Sequence, residues 1–244
     1  TSDYFRKIYG KNKFNDVSST EVVLGMMYDP VSWSKKPIIK VSNPKLRALI
    51  GSKDLDSKYI RVSFNEFFDD DGHYFLVKDV ESAYEKLPKD RDQYDKDVLK
   101  VDERVNICFA IFGGGIFRLF PLANDSNDKW YSTYQSSDVF TGDDSLFVFS
   151  ILPIYFTSIA QAQNDGDWSV ANNTLDAIKK YQQKYGVNVY PSKTKLKVES
   201  LYNELKVFNK LTSYYAIIGL IMILLLLQNV LKHRNWRMSV IRVG

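Results

Sequence analysis

Residues Leu211 to Leu231 run for 21 positions without a charge, through Ala216-Ile-Ile-Gly-Leu-Ile-Met-Ile-Leu-Leu-Leu-Leu227. A helix rising about 1.5 Å per residue would cover roughly 31 Å over that stretch, the depth of a bilayer's hydrocarbon core. Its apolar positions wrap all the way round the helix, whereas a helix on the edge of a soluble core keeps a polar stripe. The run therefore predicts a single C-terminal transmembrane helix that ties a soluble body to a membrane.

The flanks predict its orientation. Lys232, Arg234, Arg237 and Arg242 follow the span with no acidic residue among them, and Trp236 lies between the bases. Clustered Lys and Arg beside a span stay on the cytoplasmic side, and aromatic residues mark both interfaces. Tyr214 and Tyr215 occupy the opposite end. The expected membrane-interface residues are thus Tyr214, Tyr215, Lys232, Arg234, Trp236 and Arg237. Residues 1–210 are expected outside the cytoplasm, in a bacterial cell the periplasm, with the inner membrane as anchor. Because it lies at the C-terminal end, the run is no export signal. Of 33 Lys and Arg, 4 follow residue 210, which leaves 29 against 29 Asp and Glu in the soluble part. The formal +4 belongs to the tail, and no basic excess points to nucleic acid.

The soluble part is long enough for one substantial domain, or a domain with a helical appendage. A single cysteine allows no internal disulfide, so a packed core must hold the fold. That cysteine, Cys108, sits in Val105-Asn-Ile-Cys-Phe-Ala-Ile-Phe112, an apolar setting that suits a buried, inert thiol rather than a nucleophile.

Patterning predicts an α+β, helix-dominated domain with a few short strands. The first residues read as the tail of a helix stopped by Gly10, so the chain is expected to be a piece of something longer. Ser18-Ser-Thr-Glu21 is a capping box opening a helix that Pro30 closes. Pro37–Val41 and Lys58–Ser63 are β-branched strand candidates, with a short helix from Asn43-Pro44 to Gly51 between them. Leu76, Val80, Ala83 or Tyr84, and Leu87 share one helical face. Tyr94, Val98, Val101, Val105, Cys108 and Phe112 recur at spacings of 3 and 4 and form a core-facing stripe. Gly113-Gly-Gly115 ends that helix, Ile116–Phe120 reads as a strand, and a polar loop spans Asn124–Lys129. Asp167 caps a helix whose stripe is Trp168, Ala171, Leu175, Ile178, Tyr181 and Tyr185. Its lysines gather toward Gly186, the expected stop. Pro191-Ser192 opens a last helix, striped by Val198, Leu201 or Tyr202, Leu205 and Phe208, with nothing to break it before the span. The expected layout is a domain over 1–190, a long helix over 191–231 containing the span 211–231, and a basic tail over 232–244.

Catalytic chemistry is scarce. The two histidines, His73 and His233, fall on opposite sides of the predicted membrane, which excludes multi-histidine metal sites and Cys/His zinc patterns. No nucleophile-elbow motif supports a triad around His73. Phe68-Asp-Asp-Asp-Gly72 resembles part of a calcium loop, but Phe67 stands at the first ligand position and Lys78 at the bidentate glutamate position. A solvated acidic turn with no metal explains it. Gly113-Gly-Gly115 lacks the Lys-Ser/Thr of a phosphate loop. Trp130, Trp168, Tyr181 and Tyr185 could make a binding face or pack in a core. No catalytic and no metal residues are predicted.

Dispersed blocks carry a resemblance. They are Tyr9-Gly-Lys11, Asp16–Gly25, Asp29-Pro-Val-Ser-Trp33, Pro37–Val41, Lys100-Val-Asp-Glu-Arg-Val-Asn106, Arg118-Leu-Phe-Pro121, Lys129-Trp-Tyr-Ser132 and Gly142-Asp-Asp-Ser-Leu-Phe147. Tyr181-Gln-Gln-Lys-Tyr-Gly186, Pro191-Ser192 and Glu199-Ser-Leu-Tyr-Asn203 complete them. Together they resemble the periplasmic region of cytochrome c synthases of the type II maturation pathway (CcsBA, the fused CcsB–CcsA or ResB–ResC type), in the Bacteroidetes form. The resemblance covers nearly the whole chain and rests on no single diagnostic motif.

That family exports haem and attaches it to Cys-x-x-Cys-His of apocytochrome c, using a tryptophan-rich WWD loop, two flanking periplasmic histidines and histidines inside membrane helices. None of these transfers here. Lys129-Trp-Tyr is not that loop, His73 has no partner, and Leu211–Leu231 contains no histidine. The resemblance implies a scaffold segment whose haem is bound elsewhere in the parent protein, no cofactor of its own, and His73 at most as a haem ligand. Implied partners are the lipid bilayer, the remaining membrane helices of the CcsB and CcsA parts, and apocytochrome c. The alternative is a single-pass, membrane-anchored periplasmic interaction module; a tethered hydrolase would need a constellation that is not visible.

Overall fold

A computed structural model describes residues 2–52, 54, 57–122, 125–135, 138–205 and 207–241; the side chains at 2, 203, 204, 209 and 233–241 lie outside that description. The chain divides into two compact units, Thr1–Asn188 and Val189–Gly244.

The first unit is built from helices with three small antiparallel ribbons. Helix α1 (Ser2–Tyr9) ends at Gly10, which takes a left-handed φ of 84° and bonds back to the Arg6 carbonyl at 2.8 Å. A two-residue ribbon of β1 (Lys13–Phe14) and β2 (Val17–Ser18) follows, its turn made by Asn15 and Asp16 at positive φ. Helix α2 (Ser19–Tyr28) starts with the predicted capping box: Ser18 Oγ accepts the Glu21 N–H and the Glu21 carboxylate accepts the Ser18 N–H. Pro30 closes α2 by becoming the first residue of another helix, α3 (Pro30–Ser34), capped by Asp29. Gly25 in α2 is a fit position, because a Cβ there would lie 2.9 Å from Trp33 Nε1.

The two strand candidates pair as β3 (Ile39–Val41) and β4 (Ile60–Val62), with Ile39 opposite Val62, and α4 (Pro44–Leu49) lies between them in sequence. Next come α5 (Val77–Glu85) and the long α6 (Gln93–Phe112), whose Asp92/Asp95 pair forms a second capping box. Leu76 and Ala83 are buried as the periodicity predicts, but Leu87 lies beyond the end of α5 and is exposed. The α6 stripe holds: Val98, Val101, Val105 and Cys108 are buried, while Ile111 takes the last deep position and Phe112 packs at the margin, edge-on to Phe64.

After Gly115 the structure departs from expectation. Residues 116–119 are irregular, and only β5 (Phe120–Pro121) forms a ribbon, with β6 (Trp130–Tyr131). Asn124, the first residue of the expected polar loop, lies outside the described residues. A helix that the pattern did not reveal, α7 (Gly142–Asp165), then packs on α8 (Ser169–Tyr185). In α8 the buried face is Ala171, Thr174, Ile178 and Tyr181. Trp168 is exposed at the N-cap and Leu175 is half-buried, so the true stripe is rotated toward Thr174.

Two apolar clusters result. The larger gathers Phe5, Ile8, Val22, Met26, Ile39 and Phe67 with the α6 stripe; the smaller gathers Phe120, Phe140, Val148, Ile151, Leu152, Ile178 and Tyr181. Met27 packs against both. Arg61 and Arg104 tie α1 down by donating to the carbonyls of Tyr9 and Lys7, and Arg104 also reaches the Lys40 carbonyl. Buried carbonyls at a helix end need such donors.

The second unit comprises α9 (Lys193–Leu205) and α10 (Val207–Ile241). Ser192 Oγ accepts the Lys195 N–H and so caps α9. The predicted continuity of the helix passes through residue 206, which lies outside the described residues. Val198, Leu201, Tyr202, Leu205 and Phe208 are all exposed.

Candidate functional site

His73 occupies an exposed turn shaped by one carboxylate. Asp69 Oδ1 accepts the N–H groups of Asp71 and His73 at 3.0 and 2.8 Å, and Oδ2 stands 3.2 Å from His73 Nδ1. These hydrogen bonds, the His73 backbone foremost, hold the Asp69 carboxyl below the usual carboxylate range. Asp69, Asp71 and His73 bring potential metal-ligand atoms within 4.8 Å of one another, all exposed. The Asp69 oxygens are already engaged in building the turn, and the exposed imidazole does not line the neighbouring groove formed by Phe64, Phe68, Asp69, Asp70 and Phe109. Axial haem ligation needs a ligand presented within an apolar cleft. The residues of this turn therefore do not fit haem.

Cys108 is fully buried in α6, and burial pushes its thiol up to about 12. It is a core residue without thiolate character. Close by, Asp102 is buried and accepts a hydrogen bond from Asn106 Nδ2 at 2.9 Å. Burial raises its carboxyl above the usual range, and the Tyr74 hydroxyl beside it is raised as well, by burial first and then by Asp102. Tyr74 packs, partly buried, against the larger cluster, and Asp102 is buried on the same side of α6 as its hydrogen-bonded neighbour Asn106. Lys86 bonds both oxygens of the buried Asp95, which secures the loop between α5 and α6.

Two grooves lie where α2 meets α7, and a larger one of about 480 Å³ lies beside the acidic turn, lined by Phe64, Asn65, Phe68, Asp69, Asp70 and Phe109. One groove of about 360 Å³ is bounded by Met27, Phe112, Gly113, Gly114, Pro153 and Phe156. A second, of about 270 Å³, lies along Leu24, Gly25, Tyr28, Phe156 and Ile159. Gly113–Gly115 thus form a helix end and one wall of a groove; no phosphate-binding geometry appears among the described residues. Trp130 sits in the β5–β6 ribbon and Tyr181 stacks on Phe147 at 4.8 Å. The four aromatics Trp130, Trp168, Tyr181 and Tyr185 are therefore not one face: Tyr181 and Tyr185 belong to the smaller cluster, Trp130 lies against Gly186, and Trp168 is exposed.

Two helices are long and apolar enough to cross a membrane by length and composition. Lys210–Lys232 in α10 has mean hydropathy 2.1 with none of its window buried, whereas α7 has 1.5 with 28% buried. The α7 residues Val148, Ile151, Leu152, Ser158 and Ala162 are buried in the first unit, so part of its hydrophobicity serves a core, while Leu146, Phe149 and Ile154 are exposed. Tyr214, Tyr215 and Lys232 are exposed at the two ends of the apolar run. The side chains of Arg234, Trp236 and Arg237 lie outside the described residues, as does Arg242.

These features define a helix-dominated α+β domain followed in sequence by a long apolar helix. No family model matches the chain. A curated relative, Protein NrfI of Wolinella succinogenes, is 35% identical over 218 residues, which is 89% of this chain and 23% of the relative. The chain spans less than a quarter of that relative's length.

Proposed function

We propose that this chain is the extracytoplasmic scaffold of a cytochrome c maturation protein, tethered to the bacterial inner membrane by residues 211–231. The observation that carries the reading is the likeness to Protein NrfI over nearly the whole chain, together with the blocks that resemble type II cytochrome c synthases. That the matched stretch is a minor part of a much longer relative supports the expectation of a longer parent protein. The apolar, fully exposed run in α10 supports the tether, and the bases after it support a cytoplasmic tail.

Haem is handled outside this segment. His73 sits in an open acidic turn and Cys108 inside a core, and neither is presented in the apolar cleft that axial ligation needs. The domain instead holds neighbouring membrane helices in place and presents a surface to apocytochrome c. In-frame removal of residues 1–190 from the parent gene should abolish covalent haem in c-type cytochromes while the parent protein still inserts. Unchanged haem staining would refute the role. A haem titration of the purified chain that gives a stoichiometric Soret shift, lost in His73→Ala, would move haem binding into this segment. An impermeant thiol reagent applied to intact spheroplasts should label a cysteine placed at 126 and spare one at 236; the reverse pattern would invert the topology.

A further inference from the structure

The balanced charge of the soluble part conceals a segregation. Residues 1–62 hold 12 basic and 6 acidic residues, a surplus of 6; residues 63–128 hold 8 and 15, a deficit of 7. The acids of the first stretch are largely committed: Asp3 pairs with Arg6, and Glu21, Asp29 and Asp54 bond Ser18, Ser32 and Ser57. Its bases are different. Lys36, Lys40 and Arg61 make no ion pair among the described residues and lie on aromatic rings instead. Lys36 Nζ stands 3.6 Å from the centre of the Trp33 ring. Trp33 meets Phe14 at 5.6 Å, and Phe14 meets Tyr9 at 5.5 Å. Arg61 lies 4.0 Å from the centre of the Tyr9 ring and 5.0 Å from that of Tyr59, and Lys40 Nζ lies 4.4 Å from the centre of the Tyr59 ring. Lys36, Trp33, Phe14, Tyr9, Arg61, Tyr59 and Lys40 thus form one continuous ladder, a row of rings capped by a cation at each end and crossed once by another, and exposed Lys11, Lys13, Lys35 and Lys58 adjoin it in sequence.

We propose that this ladder is a docking face for the anionic lipid surface of the membrane that anchors the chain. The inference rests on the tether described above. Half-buried rings carrying cations suit the headgroup layer, where Trp and Tyr rings sit beneath the phosphates and Lys and Arg meet them. Stacking on the rings holds the cations in place, so little side-chain order is lost when phosphates arrive. An acidic protein partner would use the charges but not the rings. Each cation near an anionic leaflet should strengthen contact roughly fivefold, and salt should weaken it.

The test uses the full chain reconstituted in vesicles of phosphatidylcholine, alone or with phosphatidylglycerol, each carrying a headgroup-nitroxide lipid. A fluorophore is placed at Asn12→Cys on the ladder or at the exposed Ser126→Cys in the acidic half; buried Cys108 stays silent. The expected result is quenching at 12 and not at 126, only with phosphatidylglycerol, and reversed by salt. Lys36→Gln/Lys40→Gln/Lys58→Gln should remove it, and the three arginine substitutions should restore it. Equal quenching at both positions, or none with phosphatidylglycerol, overturns the proposal. So does protection of these lysines from acetylation by polyglutamate without any quenching by lipid, which would assign the face to an acidic protein. A chain that carbonate strips from the vesicles refutes the tether but not the face, which cosedimentation with the same vesicles then decides.

Discussion

Truncating Phe120 tests whether the two apolar clusters melt as one body. Its side chain is fully buried, meets Tyr181 edge-on at 6.1 Å, and lies on the β5 ribbon that covers the smaller cluster. Phe→Ala at such a position costs about 3–5 kcal/mol, the lost transfer energy plus the cavity left behind. Against a typical domain stability of about 5–15 kcal/mol, that is roughly a fifth or more of the total. Phe67, equally buried in the larger cluster, should cost about as much. Because Met27 packs against both clusters, either substitution should shift one shared denaturation transition. Urea unfolding of the full chain in detergent, followed by near-ultraviolet circular dichroism, gives the magnitude. Native-state hydrogen exchange gives the coupling: Phe120→Ala should lower protection in α1 and α2 as well as in α7 and α8. A loss below about 1 kcal/mol would mean that Phe120 is not enclosed as described. A loss of protection confined to α7 and α8 would refute the coupling through Met27.

Gly25→Ala should cost about 1–3 kcal/mol, since its Cβ would press 2.9 Å from the indole of Trp33; an unshifted Trp33 emission with full stability would contradict that packing. Cys108, its thiol pushed up to about 12 by burial, should resist iodoacetamide in the native chain at pH 8 and react once denatured; fast native labelling would place it at the surface. Glu21, Asp29 and Asp167 are each held below the usual carboxylate range by bonds to Ser18, Ser32 and Ser169. A carboxyl lowered on folding stabilises the fold above its unfolded pKa, and that contribution is lost as the pH falls through the folded value. Stability should therefore hold at neutral pH and decline below about pH 4, less steeply in Asp29→Asn, as thermal melts between pH 2 and 7 would report.

Local chemistry made some elements legible and left others hidden. Ser18–Glu21, Gly10 and the α6 stripe announce themselves because a cap, a left-handed glycine and a regular 3–4 spacing each have a local cause. Helix α7 has no such signature. It carries apolar residues on more than one side, with Leu146, Phe149 and Ile154 exposed opposite its buried face, and Pro153 in mid-helix reads as a breaker. The ribbon expected across Ile116–Phe120 shrinks to Phe120–Pro121 because its partner, Trp130–Tyr131, is itself two residues long, which no single segment reveals. Size and spacing favour Trp168 and Leu175 for the α8 core, yet Thr174 is buried instead, its hydroxyl satisfied by the Val170 carbonyl at 2.8 Å. The open setting of His73 was legible from Asp69–Gly72, whereas the stacking of Lys36, Lys40 and Arg61 was not, since it depends on residues from four separate elements and loops.

The uncharged length of α7 between Asp144 and Asp165 has a consequence for how such a chain is made. In a polypeptide threaded through a protein-conducting channel, each apolar segment is sampled by lipid before the fold exists to bury it. Insertion at that stage depends on summed hydrophobicity, with proline and polar residues counting against it. Here the two runs differ only modestly, 1.5 against 2.1 in mean hydropathy. In the topology proposed above, Pro153, Ser150, Ser158, Gln161 and Gln163 would hold the first run on the passing side of that margin. Substitutions that improve packing in the finished domain by making α7 greasier would thus be paid back during biosynthesis, as arrest in the wrong compartment.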